Sequence, residues 1–200
     1  MKFALHLTLT LILKLILTLI LTCTLQGSAG FAWAASNDAS DIEYQVKATY
    51  LYNFVHYVEW PPHTFAQMDS PVIIGVLGAD EIGGALGNMT AARALSGRAL
   101  EVRLLTPGDA LAESLRGVQI LFIGRRENGR LKKLLESIQL PALLIVTETS
   151  GALGMGSMIN FVPVDEHIRF EVSVLQAERS GLKISARLLA VAQKIETRRP

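Results

Sequence analysis

The chain predicts one three-layer α/β/α domain with a mostly parallel sheet, closed by a β-hairpin and a helix. Three observations carry this. Short aliphatic runs alternate with helical patterns from Pro71 to Glu148, the signature of parallel strands joined by right-handed crossovers. After Glu148 the texture changes, because MINFVP and HIRFEVSV flank the turn residues Val164-Asp165-Glu166. A single amphipathic helix precedes the alternation, with neither an internal repeat nor a second hydrophobic core elsewhere.

The elements follow in order. Lys2, His6 and Lys14 lead into the apolar run Leu15 to Leu25 and the small-residue site Ala32-Trp33-Ala34, the tripartite pattern of a cleaved secretory signal over residues 1–34. Lys14 would be costly near the middle of a retained membrane span. Residues 35–43 form a flexible start and helix cap. Here Ser40 and Glu43 make an S-x-x-E capping pattern. Ala48, Leu51, Val55 and Val58 then recur at spacings of three and four, widened by Phe54, until Pro61 and Pro62 stop the helix.

Pro71 to Leu77 reads as a strand buried on both faces. Leu100, Val102 and Leu104 alternate as a second strand, VQILFIG from Val118 forms a third, and ALLIVTE from Ala142 a fourth. Leu131, Leu134, Leu135 and Ile138 mark a helix between the last two. The closing helix places Ile184, Leu188, Val191, Ala192 and Ile195 on one face. The domain spans residues 44–194, and residues 195–200 form a tail.

Composition narrows the function classes. The whole chain has 19 basic and 18 acidic residues. Removing the signal removes Lys2 and Lys14, so the balance gives no reason to expect nucleic acid. Cys23, the single cysteine of the sequence, leaves with the signal. The mature domain then depends on its core alone.

Specific chemistry finds little support. GALGMG at Gly151 to Gly156 has the wrong glycine order for a phosphate loop, lacks the Lys-Thr pair and precedes a strand. His56, His63 and His167, with Glu59, offer no two-ligand helical pair, because Pro61 and Pro62 intervene. Ser157 is not in a nucleophile elbow. Asp80 follows the first strand without the acidic pair and lysine of a receiver domain. The expectation is therefore no catalytic site, no metal and no cofactor.

What remains is a set of polar and aromatic residues in apolar elements. Asn160, Arg169 and Glu171 lie on facing arms of the hairpin, where they can form a hydrogen-bonded cluster or simply face outward, with Arg169 and Glu171 paired to each other or to Lys183. Tyr50 and Tyr57 lie near the apolar stripe, whereas Tyr52 and Trp60 sit where rings can reach a rim, beside Asn53. Tyr52, Asn53, Trp60, Asn160, Arg169 and Glu171 are the candidate partner or ligand contacts.

Five motifs in this order resemble the YfiR family of periplasmic regulators: EYQVKATYLYNFVHYVEWPP at Glu43 to Pro62, GVLG at Gly75 to Gly78, GSMINFV at Gly156 to Val162, IRFEV at Ile168 to Val172, and LKISARLLAVA at Leu182 to Ala192. The family is typified by a soluble repressor of a membrane-bound diguanylate cyclase. The resemblance thus implies a periplasmic, non-catalytic regulator that binds the cyclase's periplasmic domain and lowers cyclic-di-GMP output. It leaves a homodimer and a small-molecule signal open, and a periplasmic small-ligand-binding sensor module is the alternative reading. Many family members carry a cysteine where this chain has Val118, so thiol regulation does not carry over.

Overall fold

The computed structural model of the protein describes residues 29–67, 69–92, 98–108, 110–138 and 140–197. Most of the expected signal, residues 1–28, and the end of the expected tail lie outside the described residues. The chain divides into two compact units, one ending at Ile42 and one beginning at Glu43. Of the first, the described part is helical backbone.

The helix α1 runs Ala29–Tyr57, so it begins well before the expected cap at Ser40. The reason is local. Residues 29–39 are rich in alanine, the strongest helix former, and contain no proline after Gly30 to halt propagation. Glu43 consequently lies inside the helix, and its carboxylate turns to cations instead of a free N–H. The helix gives way at Tyr57 to the two-residue strand β1, Val58–Glu59, and the prolines then fix a 3₁₀ turn at Pro62–Thr64.

The central sheet contains β2 (Val72–Leu77), β3 (Leu100–Leu105), β4 (Ile120–Ile123), β5 (Leu144–Thr147), β6 (Ile159–Val164), β7 (His167–Ser173) and β9 (Lys194–Glu196), in the order β3-β2-β4-β5-β6-β7-β9. The strands β3, β2, β4, β5 and β6 are parallel. The strand β7 runs antiparallel to β6 as the expected hairpin, with Val164 opposite His167. Asp165 and Glu166 turn it with φ of 46° and 61°, the left-handed pair that matches a hairpin's twist. Helices α2 (Asp80–Ala92), α3 (Leu111–Ser114), α4 (Leu131–Ser137), α5 (Ala152–Met155) and α6 (Val174–Arg179) supply the connections. This is the mixed α/β architecture with a mostly parallel sheet that the alternation implied.

The closing segment departs from expectation. In place of one helix it forms β8 (Lys183–Ile184), a short α7 (Ala186–Leu189) and β9, which also takes up Ile195 and Glu196 from the expected tail. The strand β8 pairs antiparallel with β1, and β9 extends the sheet beside β7. Leu188 is buried, but Val191 and Ile195 are 61% and 43% exposed, so the supposed helical face is never assembled. Sheet edges at β1 and β7 offered backbone partners that an isolated amphipathic pattern cannot reveal.

The core is aliphatic along β2, β4 and β5. Towards the hairpin it becomes aromatic, where Phe54 of α1 meets Phe161 and Phe170 with centroids 6.0 and 5.4 Å apart. Tyr50 stacks on Phe54 and meets the edge of Phe170. This cluster fixes the Glu43–Tyr57 part of α1 against the sheet and so positions the polar residues of its first turns.

Candidate functional site

The strand order β3-β2-β4-β5-β6 is that of a doubly wound sheet, in which ligands usually enter the crevice between the carboxyl ends of β2 and β4. Here that crevice is shut. Gly78 follows β2 with φ +69°, and Gly124 follows β4 so closely that a Cβ on it would lie 2.5 Å from the Gly78 carbonyl oxygen. The buried Glu127 covers Gly78 and pairs with Arg130. The start of α2, which could otherwise receive a phosphate, carries Asp80 and Glu81, and Arg126 pairs with both.

One strand along, the carboxyl ends of β4 and β5 carry a charged cluster. Lys47 from α1 is only 1% exposed and pairs with Glu43 and Glu148. Arg125 pairs with the same two carboxylates, its Nε 3.3 Å from Glu148, while its backbone N–H donates to Glu148 Oε1 at 2.9 Å. Two cations and two anions thus neutralise one another. Such an arrangement holds a helix to a sheet edge and leaves no charge free to activate a substrate.

Burial alone would raise the Glu43 pKa. The hydrogen bond from Lys47, the charges of Lys47 and Arg125, and the Arg125 hydrogen bond outweigh that and hold it below its ordinary value of 4.5. The folded state therefore favours the carboxylate. Its stabilising contribution is complete above pH 4.5 and disappears as pH falls through that value towards the lower folded pKa. Glu43→Gln should accordingly flatten the acid limb of a stability-against-pH curve. Superimposable acid limbs for the parent and the variant would show that Glu43 is not linked to folding.

Beside this cluster lies Asn160, fully buried at the start of the hairpin. Its Oδ1 accepts from Thr149 N–H at 3.0 Å and lies 2.8 Å from the Thr147 hydroxyl, while Ser157 Oγ donates to the Ile159 carbonyl. Among the described residues the Asn160 amide nitrogen has no partner. These bonds tie the end of β5 to the beginning of β6.

Of the two arrangements open to Asn160, Arg169 and Glu171, the structure does not show the hydrogen-bonded cluster. Asn160 stands opposite Glu171 in register and Val162 opposite Arg169, but the Asn160 side chain bonds to Thr147 and Thr149. Glu171 lies beside Lys194 of β9 and raises its pKa, after the larger effects of Glu196. Arg169 is exposed. Tyr52 is buried instead of at a rim, with its ring against His56, because α1 turns that residue inward one step beyond Leu51. Trp60 is half-buried and packs edge-on to Phe65, and Asn53 is half-buried. The candidate contacts thus divide into two buried residues, Tyr52 and Asn160, and four with solvent access.

Sequence reasoning missed Lys47, Arg125 and Glu148. Lys47 falls off the apolar stripe of Ala48, Leu51, Val55 and Val58, where a lysine is ordinarily solvated. The available signal was that Arg125 and Glu148 each directly follow an aliphatic strand, where side chains gather at one edge of a parallel sheet.

Fold and site together define a doubly wound α/β domain with a closed switch point and a charge cluster satisfied from within. The YfiR/HmsC-like family model matches residues 44–193, and the chain belongs to that family. No curated protein matches the chain in sequence. Among solved structures, a conserved domain protein from Vibrio cholerae O1 biovar eltor is similar with a TM-score of 0.51 at 9% identity, over 76% of this chain and 60% of that one. An ABC domain in complex with L-Trp from Streptococcus pneumonia aligns at a TM-score of 0.45 and 13% identity, over 62% of this chain and 55% of the other. The chain therefore spans less than two thirds of either structure, and the first of them supports the α/β fold alone.

Proposed function

We propose that the protein is a periplasmic regulator that binds and inhibits the periplasmic domain of an inner-membrane diguanylate cyclase, lowering cyclic-di-GMP. The observation that carries this reading is the family match over residues 44–193, which takes in nearly all of the compact unit from Glu43 onward. The closed crevice and the self-neutralised ion pairs favour a protein that acts through its surface. Export by a cleaved signal follows from the charged start, apolar run and Ala32-Trp33-Ala34 site. Asn53, Trp60, Arg169 and Glu171 are the proposed contacts, since they keep solvent access.

Deleting the gene should raise cyclic-di-GMP in a strain carrying the cognate membrane cyclase and leave it unchanged once that cyclase is also deleted. Complementation with Arg169→Glu should restore repression less well than the parent. In the complemented strain the protein should be recovered from the periplasm with Ala35 at its N-terminus. A rise that persists without any cyclase sinks the regulatory reading, and recovery of the intact chain in the membrane fraction sinks the export reading.

A further inference from the structure

The strand β3 forms an outer edge of the sheet, and among the described residues its only strand neighbour is β2. Natural edges of this length are usually blunted by charged side chains, a proline or a bulge, because their free N–H and C=O groups template pairing with another chain; charges of both signs on one edge still allow the register that opposes them. In β3 the sequence from 100 to 104 is Leu-Glu-Val-Arg-Leu. It reads as a palindrome about Val102 in which the two charges are of opposite sign. Leu104 is 57% exposed, although its neighbour Leu105 is buried.

We infer that β3 is a self-pairing surface, at which two copies of the chain join antiparallel about a two-fold axis through Val102 and continue the sheet from one copy into the other. The backbone sets which registers are possible. Val72 N–H donates to the Ala99 carbonyl at 2.9 Å, so Ala99 faces β2. Alternation along the strand then turns Glu101 and Arg103 towards β2 and leaves the N–H and C=O of Leu100, Val102 and Leu104 directed outward. An antiparallel ladder must oppose outward residues to outward residues, which restricts a two-fold centre to a residue and forbids one between residues.

Charge then selects among those centres. A centre at Glu101 or at Arg103 places like charges directly opposite, which is destabilising. A centre at Leu100 or Leu104 leaves the charges facing apolar neighbours. Only the centre at Val102 opposes each Glu101 to the other copy's Arg103, and it also sets Leu100 against the exposed Leu104. Arg103 is held on the same face of the strand as Glu101, its Nη1 donating to the Ser114 and Arg116 carbonyls at 3.1 Å and Nη2 reaching Glu101 at 3.3 Å. Glu101 is half-exposed, leaving room to accept from a second arginine. The contact is isologous, so it closes at two copies and does not propagate.

Sedimentation equilibrium on the purified protein, together with its E101R and R103E variants, tests this. The parent should be a dimer at micromolar concentration, and each single reversal should weaken self-association at least about tenfold by opposing like charges on both sides of the axis. Mixing the two variants should restore a heterodimer, because opposite charges again face one another across it. Circular dichroism verifies that each variant is folded. Should R103E lose its fold, Val102→Pro decides, since it removes an outward N–H and no hydrogen bond to β2, and circular dichroism confirms that the half-buried site tolerates the ring; it should yield a folded monomer. A monomeric parent, dimerisation unaffected by E101R or Val102→Pro, or folded reversal variants that fail to associate when mixed would each overturn the proposal.

Discussion

Replacing Lys47 with methionine should lower the unfolding free energy by about 3 kcal/mol, read as a shift in the denaturant midpoint. Methionine matches the length and helix propensity of lysine, so the change isolates the charge. Without it Glu148, 7% exposed, keeps only Arg125 as a cationic partner among the described residues. For a buried pair the cost of deleting one member is dominated by the desolvated charge left behind, not by the attraction that is lost. A second variant makes the argument sharper. Lys47→Met combined with Glu148→Gln should recover at least about 1 kcal/mol of the loss, since the carboxamide can still accept the Arg125 N–H. An unchanged midpoint for Lys47→Met, or additive losses in the double variant, would show that the cluster does not hold α1 to the strand ends.

Phe54→Ala should cost about 3 to 5 kcal/mol. The ring is fully buried and touches Tyr50, Phe161 and Phe170, which come from a helix and both arms of the hairpin. No neighbouring side chain is free to fill the space, because each of those rings is held by the others. In a domain of this size the loss should lower Tm by roughly 6 to 20 °C. A drop of less than about 3 °C would mean that the cavity collapses at little cost and that α1 is anchored chiefly through Lys47.

These residues differ in how far they could be read from the chain itself. Phe54 declared itself by falling at helical spacing with Leu51 and Val58, and burial follows directly from that periodicity. Lys47 belongs to the same helix and carried no such mark. A lysine two positions from a polar threonine looks solvated until an acidic residue a hundred positions later is folded beside it. Tyr52 was misjudged for a related reason: at the margin of an apolar stripe, the neighbouring elements determine whether a ring is covered.

The sequence by itself determined the β/α alternation, a hairpin turning about Val164-Asp165-Glu166, a helix stopped by the prolines, and the family to which the chain belongs, though the helix ends at Tyr57 and Val164 stays in β6. All of these rest on local periodicity, turn chemistry or ordered motifs, which survive in one dimension. Only the tertiary structure decided that Gly78 and Gly124 meet and close the switch point, that Glu43, Lys47, Arg125 and Glu148 converge, and that the closing segment forms β8, α7 and β9 instead of a helix. The physical reason is common to the three. Each outcome is set by desolvation or by backbone pairing between segments remote in sequence, and neither has an energy until the fold has brought those segments together.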